Sequence, residues 1–405
     1  MLIAWTDWPV RSVLGRALIV VALGHFVIDI NANLLPVMLP FVRAEQGLTY
    51  AQAGFVMACF STTSSLMQPV LGYLADRFGS RATLALSVLW MGLFVGVAGS
   101  ARSFPLLVAL VTLAGLGSAA FHPQGAANAR LVGGARAATA ISVFSLTGIA
   151  GFALGPMVGA AAFSAYGLPA TAFFVPLSVV SAASILAFAP SSSRRGVSPA
   201  GSGGSDGFRA IPLFALVSVL LVVVARAVLE STVIAYTPLR LSEDLAYSSR
   251  ILFVILFGQA VGTFLGGLVA DRVGRRALMV ATMAALVPQV YLFNTLSGAG
   301  LLVVAATTGI SMGATIPVTI VAAQELLPRN VGVASGLTMG FAFGLAGVGV
   351  AGIGALADQI GLQAALLVVP VAPLIGAVIA ATCPVAARQA RPGLPATTEA
   401  TAAQG

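Results

Sequence analysis

The chain has no lysine, little charge of any kind and few residues with reactive side chains. Only 8% of its 405 residues are charged, all 20 basic residues are arginine, and there are two cysteines and two histidines. A soluble domain would carry about 25% charged residues, so a soluble globular protein is excluded. Without lysine there is no phosphate-binding Gly-x-x-x-x-Gly-Lys loop, which excludes an ATP-driven pump built from this chain alone.

The scarce reactive residues are also in the wrong places for catalysis or metal binding. Cys59 and Cys383 lie far apart in apolar runs, so we expect neither a disulfide framework nor a metal site. Neither histidine has a serine or cysteine nucleophile pattern beside it, and no feature supports an enzyme. We therefore expect no cofactor, with energy drawn from an ion gradient, first of all of protons.

Apolar residues make up 59% of the chain, and they are grouped into long runs. A membrane-spanning helix needs about 20 such residues. The 45 glycines would let these helices approach one another closely. The sequence predicts twelve spans, at residues 17–39, 51–74, 82–101, 104–127, 138–163, 168–189, 211–239, 249–270, 277–297, 300–324, 331–356 and 361–382.

The only long polar interruption, PSSSRRGVSPAGSGGSDGFRA, divides the twelve spans six and six. Its serine, glycine and proline content is typical of a flexible linker. We predict an N-terminal six-helix bundle at 1–190, a cytoplasmic linker at 191–210 and a C-terminal bundle at 211–405. The last residues, 388–405, are predicted to form a short disordered tail.

Arginine counts predict how the chain is oriented. With the N-terminus in the cytoplasm, fifteen loop arginines lie inside and four outside, and the remaining one, Arg226, lies within a span. Inner loops of membrane proteins carry such an excess of positive charge. We therefore predict a multi-pass inner-membrane protein with both termini cytoplasmic. The arginines are spread over short loops, so they indicate topology and not nucleic-acid binding.

Two loops repeat one pattern at an offset of 195 residues: GYLADRFGSR at 72–81 and GLVADRVGRR at 267–276. The pattern resembles the signature loop of the major facilitator superfamily. The resemblance implies an all-α fold of twelve transmembrane helices in two pseudo-symmetric bundles, and a loop that latches one access state. Topology-setting charge alone is the alternative. The residues concerned are Gly72, Asp76, Arg77, Gly79, Arg81, Gly267, Asp271, Arg272, Gly274 and Arg276.

Three stretches resemble more narrowly the fosmidomycin-resistance branch of that superfamily. They are GHFVIDINANLLP (24–36), QPVLGYLADR (68–77) and GLGSAAFHPQGAANAR (115–130). The resemblance implies export of a phosphonate antibiotic, although Gln124 replaces the glutamate expected after the Phe-His-Pro signature. GFALGPMVG (151–159) further resembles an antiporter pattern of drug exporters. Its residues Gly151, Gly155, Pro156 and Gly159 also suit ordinary close helix packing.

Ionisable residues deep in a membrane are costly and are usually functional. In the first predicted span, Asp29 lies about twelve residues in, or roughly 18 Å at 1.5 Å per residue. His25 and Asn33 lie one helical turn on either side of it, on the same face. We expect this stripe to face an aqueous cavity, with Asp29 as the proton carrier and His25 adjusting its proton affinity or relaying the proton.

The seventh predicted span carries a corresponding pair, Arg226 and Glu230, also four residues apart. Arginine keeps its charge, so at this depth it needs a counter-ion or an anionic ligand. Arg226 is the candidate for binding an anionic substrate, and Glu230 is a second proton-coupling candidate; an internal ion pair between them is the alternative. Asn33, His122 and Gln124 are further candidates for substrate contact, with a structural histidine as the alternative for His122.

These residues lead to one preferred function and two rivals. The preferred function is proton-coupled efflux of a small anionic drug-like compound by a monomer, in which the two bundles rock about the midplane site. Substrate at Arg226 would change the proton affinity of a nearby Asp29. The rivals are proton-coupled uptake of an organic acid or sugar, and a membrane sensor that transports nothing. GALADQIG (354–361) repeats part of the loop pattern, and no chemistry is assigned to it.

Overall fold

A computed structural model describes residues 15–78, 80–133, 137–190, 212–327, 334 and 337–384. Over these residues the chain is helical apart from short turns, and it contains no strand. A 3-10 helix covers Leu168–Phe174 and a π-helix covers Leu337–Phe341. The α-helices are α1 Arg16–Gln46, α2 Tyr50–Leu66, α3 Gln68–Phe78, α4 Arg81–Ala98, α5 Phe104–Gly133, α6 Ala137–Tyr166, α7 Val175–Phe188, α8 Leu213–Arg240, α9 Leu245–Val273, α10 Arg275–Thr295, α11 Gly298–Leu326, α12 Ala342–Ile360, α13 Leu362–Leu366 and α14 Val371–Thr382.

Eleven helical stretches in the described residues are long and apolar enough to cross a membrane. The second predicted span, 51–74, is instead divided at Met67 into α2, of 17 residues, and α3, of 11 residues. Pro69 has no backbone N–H to continue the helical hydrogen bonding, which explains a break at this position. Neither piece alone would cross a hydrocarbon core of about 30 Å, whereas the two together would.

Successive spans run in opposite directions, so an even number of crossings brings residues 15, 190, 212 and 384 to one side. We call this side the terminal face and the opposite side the distal face. Capping boxes start helices on both faces. On the distal face Thr49 and Gln52 cap α2, and on the terminal face Ser80 and Thr83 cap α4. These reciprocal hydrogen bonds satisfy amides that the first helical turn leaves open.

Close backbone approach at glycines holds neighbouring helices together within each half. In the N-terminal half α1 packs along α6, and in the C-terminal half α9 packs along α11. A methyl group added at Gly309 or Gly313 of α11 would overlap the backbone of α9 at Ile255 or Gln259. Membrane helices associate without a hydrophobic driving force, so such close contact supplies the packing energy.

The two halves meet mainly where α1 packs against α8, α2 against α12 and α6 against α9. On the distal face both carboxylate oxygens of Asp358 accept hydrogen bonds from the first amides of α2, Tyr50 N at 2.7 Å and Ala51 N at 2.9 Å. The single hydroxyl hydrogen of Tyr236 lies within reach of two carbonyl oxygens, that of Tyr50 at 3.2 Å and that of Val350 at 2.9 Å. We call these contacts of Asp358 and Tyr236 the distal latch, because they tie the C-terminal half to the start of α2.

The predicted linker, 191–210, and the predicted tail, 388–405, lie outside the described residues.

Candidate functional site

Three ionisable side chains from two helices meet near the middle of the N-terminal half. His25 and Asp29 lie on α1, with His25 Nε2 3.3 Å from Asp29 Oδ2. His122 comes from α5, and its Nε2 lies 3.5 Å from the other carboxylate oxygen, Asp29 Oδ1. We call these three residues the His–Asp–His cluster. A carboxylate therefore bridges two imidazoles, each facing a different oxygen.

The backbone holds both imidazoles in place through their Nδ1 atoms. His25 Nδ1 lies 2.8 Å from the carbonyl oxygen of Phe144 on α6, and His122 Nδ1 lies 2.8 Å from the carbonyl oxygen of Ser118, one turn earlier on α5. A carbonyl oxygen only accepts hydrogen bonds, so each Nδ1 carries a hydrogen and donates it. The remaining nitrogen of each ring, Nε2, is directed at Asp29.

Aromatic packing and one glycine shape the space around His25. Its ring stacks on Phe144, with centroids 4.0 Å apart and planes 17° apart, and meets His122 edge-on at 5.1 Å. A methyl group at Gly148 of α6 would overlap the imidazole of His25. Glycine at position 148 therefore gives the imidazole the room it needs to reach Asp29.

The cluster is largely buried. Asp29 lies near the midpoint of the 31-residue α1. His122 lies slightly toward the terminal end of α5, and its side chain is 28% exposed, against 10% for His25 and 13% for Asp29. His122 is thus the most exposed member of the cluster.

One possible ligand atom from each of these three side chains lies within 4.8 Å of the others, so the cluster also has the composition of a cation site. A transition metal bound at about 2.0–2.1 Å needs its ligand atoms within about 4.2 Å of one another, a closer spacing than 4.8 Å. A proton on Nε2 of either ring would face an Asp29 oxygen at 3.3 or 3.5 Å.

The second ionisable centre lies at the midpoint of α8. Arg226 forms an ion pair with Glu230, whose other oxygen, Oε1, accepts a hydrogen bond from Gln259 Nε2 at 2.8 Å. Both charged side chains are almost fully buried, with 3% and 5% exposure. Arg226 Nε has no partner among the described residues, and its guanidinium lies 5.4 Å from the centre of the Phe343 ring. We call Arg226 and Glu230 the arginine pair.

The two centres are not joined to each other by an ion pair in the described part of the chain. Asp29 contacts His25 and His122, whereas Arg226 contacts Glu230. We expected Arg226 to change the proton affinity of Asp29 directly. The two side chains form no ion pair, because each charged group has a nearer partner. The helices that bear the two centres, α1 and α8, do pack against each other.

Two predicted substrate contacts have hydrogen-bond partners of their own within the protein. Asn33 is buried between α1 and α6, with its amide donating to the carbonyl of Asp29 at 3.2 Å. Gln124 lies two residues beyond His122, about 200° around the helix, and so faces α4. There its Oε1 accepts from Thr83 at 2.8 Å, beside an apolar cavity of about 300 Å³.

The first signature loop is only partly described. Gly72 on α3 lies against Pro123 of α5, and Arg81 is exposed at the start of α4. The side chains of Asp76 and Arg77, and Gly79 as a whole, fall outside the described residues.

The second signature loop is a one-residue turn between α9 and α10. Gly274 makes this turn with φ of 92°, a value that side-chain-bearing residues rarely adopt. Gly267 has open space around it, Arg272 is exposed in the last turn of α9, and the side chain of Asp271 is not described. Arg276 donates to the carbonyl oxygen of Ala381 on α14.

The neighbouring Arg275 forms an ion pair with Glu325 of α11. This contact and that of Arg276 with α14 both lie within the C-terminal half. The described part of the second loop thus ties together helices of one half on the terminal face.

The glycine pattern of α6 lies against α1. Methyl groups at Gly151, Gly155 and Gly159 would meet the carbonyl of Phe26, the side chain of Asn33 and the side chain of Leu34, respectively. Pro156 lies inside the helix between them. Together with Gly148, these glycines bring α6 close enough for the Phe144 carbonyl to reach His25.

Sequence reasoning did not pair His122 with Asp29, and it assigned no chemistry to Asp358. A contact between α1 and α5 depends on tertiary packing, so no local spacing indicates it. For Asp358 there was a signal, because the partial loop repeat GALADQIG places it at the distal end of α12.

Comparison with known proteins identifies the class. The family model of the Major Facilitator Superfamily matches residues 21–258 and 219–403, so the chain belongs to this superfamily. It is an all-α, multi-pass membrane protein with the superfamily fold. Members of the superfamily are transporters of small molecules and not enzymes.

Particular relatives narrow the comparison. The chain is 28% identical over 366 residues to the fosmidomycin resistance protein of Escherichia coli (strain K12), covering 88% of this chain and 90% of that one. It is 28% identical over 372 residues to the uncharacterized MFS-type transporter YfnC of Bacillus subtilis (strain 168), covering 89% and 90%. The multidrug resistance protein MdtG of Escherichia coli (strain 55989 / EAEC) is 32% identical over 170 residues, covering 41% of each chain.

Solved structures share the fold at low sequence identity. The nucleoside transporter NupG superposes with a TM-score of 0.75 at 12% identity, covering 91% of this chain and 99% of that one. A bacterial homologue of the human lysosomal transporter Spinster, inward-facing and occupied, superposes with a TM-score of 0.73 at 17% identity, covering 93% and 97%.

Proposed function

We propose that this protein exports a small anionic compound across the inner membrane in exchange for protons. The observation that carries the proposal is the presence of two separate buried ionisable centres at mid-membrane depth, one on the first helix of each half. Ionisable groups at that depth are costly and mark ion or substrate pathways. In this account the His–Asp–His cluster binds protons, and the arginine pair binds the anion.

The arginine pair suits an anion because Arg226 keeps its charge and has donors to spare. Arginine carries five N–H donors in a fork that matches carboxylate and phosphonate oxygens. Arg226 Nε is unpartnered among the described residues, and Glu230 also has Gln259 to bond to. An incoming anion can thus take the place of Glu230 beside Arg226 while Glu230 keeps one hydrogen bond.

Coupling between the centres runs through the helices in this account. No ion pair links Asp29 with Arg226, but α1 and α8 pack together and belong to different halves. A rocking motion of one half against the other would therefore expose both centres to the same side in turn. Exchange follows if the protonated cluster and the anion-loaded arginine pair favour different positions of the halves.

Both the relatives and the arginine pair support an anionic compound as the substrate. Export of fosmidomycin, a phosphonate, is the first test because the fosmidomycin resistance protein matches nearly the whole chain. We further propose a monomer with both termini and the 191–210 linker in the cytoplasm, as the arginine distribution indicates.

Inside-out vesicles with an acidified lumen test the proposal. Fosmidomycin or another organic anion added outside should dissipate the pH gradient, because anion entry drives proton exit. Asp29→Asn and Arg226→Ala should abolish dissipation, while Glu243→Gln, which neutralises an exposed carboxylate on the distal face, should leave it unchanged.

Other outcomes would replace the proposal with one of its rivals. Dissipation only in vesicles preloaded with the anion would identify uptake by symport. Absence of any flux with folded protein, together with tolerance of both substitutions, would identify a sensor.

A further inference from the structure

The geometry of the His–Asp–His cluster fixes how many protons its hydrogen bonds require. Both Nδ1 atoms are occupied, since each donates to a backbone carbonyl oxygen at 2.8 Å. A neutral imidazole carries a single ring hydrogen, so a neutral His25 or His122 has a bare Nε2 that can only accept. The backbone thus selects the same tautomer in both rings.

Each bare Nε2 faces an oxygen that also only accepts. An ionised Asp29 has no hydrogen on either oxygen, yet Oδ2 lies 3.3 Å from one Nε2 and Oδ1 lies 3.5 Å from the other. Two acceptors in a buried, low-dielectric site repel unless a proton lies between them. One proton satisfies one contact, and two protons satisfy both.

We propose that the His–Asp–His cluster takes up two protons together in each transport cycle, one for each nitrogen–oxygen contact. Two protons change the cluster charge from −1 to +1 without breaking either backbone hydrogen bond. The two protons enter from water through His122, which is the most exposed member. This inference rests on the proposed function, since it gives the proton count of the same site.

No other charged side chain of α1, α5 or α6 lies beside the cluster. Helix α6 contains no Asp, Glu, His, Arg or Cys. The charges on α1 and α5 lie at the helix ends, roughly 12–24 Å along the axis from the cluster. Across the interface, the charges of α8 nearest the midplane are held in the arginine pair. The charged groups concerned are Arg16, Arg43 and Glu45 on α1, Arg130 on α5, and Arg226 and Glu230 on α8.

The anion gradient that a known proton gradient can hold at equilibrium gives the number of protons exchanged per anion. The protein is reconstituted in liposomes with the membrane potential clamped at zero, and fosmidomycin, or the anion that passes the vesicle assay, is the probe. A roughly tenfold proton gradient should then hold a roughly hundredfold anion gradient if two protons exchange per anion, and a roughly tenfold gradient if one does.

The substitution His122→Gln should reduce the number of protons exchanged per anion from two to one. In His122→Gln the side-chain amide can donate to Asp29 without taking up a proton, so the gradient should fall from roughly hundredfold to roughly tenfold. Ser118→Ala is the matched control, because it removes the hydroxyl 3.3 Å from His122 Nδ1 and keeps the carbonyl that fixes the tautomer. That control should remain near hundredfold. A tenfold gradient in the unaltered protein would overturn the inference and leave proton exchange itself standing.

A spectroscopic measurement tests the cluster even if no anion is transported. The chain has only two histidines, and both are in the cluster, so histidine labelled with nitrogen-15 reports on nothing else. Both Nδ1 atoms should stay protonated at every pH. Aspartate labelled with carbon-13 at Cγ reports the protonation of Asp29, whose signal is the one missing from the spectrum of Asp29→Asn. Together, the histidine and aspartate signals should show that the cluster takes up two protons over one shared pH range. A bare Nδ1 at alkaline pH, or uptake of a single proton, would overturn the inference.

Discussion

The distal latch makes a quantitative prediction about the balance between access states. Asp358 accepts two amide hydrogen bonds at the start of α2, and its charge lies at the positive end of that helix. In Asp358→Asn the amide oxygen can still accept one bond, while the second bond and the charge are lost. Hydrogen bonds to charged groups contribute about 1.5–3 kcal/mol and the helix dipole about 0.3–1 kcal/mol.

Because the latch is at the exposed distal face, we expect a net effect at the low end, about 1–2 kcal/mol. That changes the ratio of latched to unlatched molecules by roughly 5–30-fold. The substitution should therefore enrich the state in which the distal face is open.

Spin-label distances measure this ratio. Labels at Ser103→Cys and Ser297→Cys, both exposed on the distal face but in different halves, report its opening, in a background where Cys59 and Cys383 are replaced by alanine. Asp358→Asn should raise the long-distance population.

The matched control is Asp244→Asn. Asp244 also caps a helix, accepting from Tyr247 N at 2.8 Å, but within the C-terminal half alone. It should leave the distance distribution unchanged. Equal distributions in all three proteins would refute the latch.

Two further predictions concern the buried centres. Gly148→Ala should displace the His25 ring and reduce proton-coupled transport, at an overpacking cost of about 1–3 kcal/mol, while Gly352→Ala, which has open space, should be neutral in both transport and thermal unfolding. Glu230→Gln leaves Arg226 as an uncompensated buried charge, so it should lower the thermal stability by about 3–5 kcal/mol, and the double variant Arg226→Gln, Glu230→Gln should recover most of the loss. A double variant no more stable than the single one would contradict the second prediction.

The fold could be predicted from the sequence because its signals are local and repeated. Apolar runs of about 20 residues mark the spans, and the loops at 72–81 and 267–276 mark the equivalent places in the two halves. The division of the second span at Met67 was not predicted, since hydropathy does not register a missing N–H at Pro69. The family match confirms the superfamily.

The candidate site could be predicted only where its residues share one helix. Spacing of four residues places His25 with Asp29 and Arg226 with Glu230, and both contacts are present in the structure. The contact of His122 with Asp29 depends on how α5 packs against α1, and the sequence spacing of 93 residues contains no trace of it.

Separation of the two centres was also beyond sequence reasoning. Asp29 and Arg226 occupy equivalent depths, which favoured a direct interaction between them. Depth does not fix the direction in which a side chain points, and each of the two charges has a partner nearby. For this reason we propose that Asp29 and Arg226 are coupled by relative motion of the helices and not by direct contact.

The most direct test of the central claim compares two kinds of transport in one variant. Asp29→Asn protein in liposomes should still exchange labelled anion for unlabelled anion, because the arginine pair is intact, and should fail to accumulate anion against its gradient when a proton gradient is imposed. That result would separate anion binding at Arg226 from proton coupling at the His–Asp–His cluster. Full proton-driven accumulation by Asp29→Asn would contradict the account.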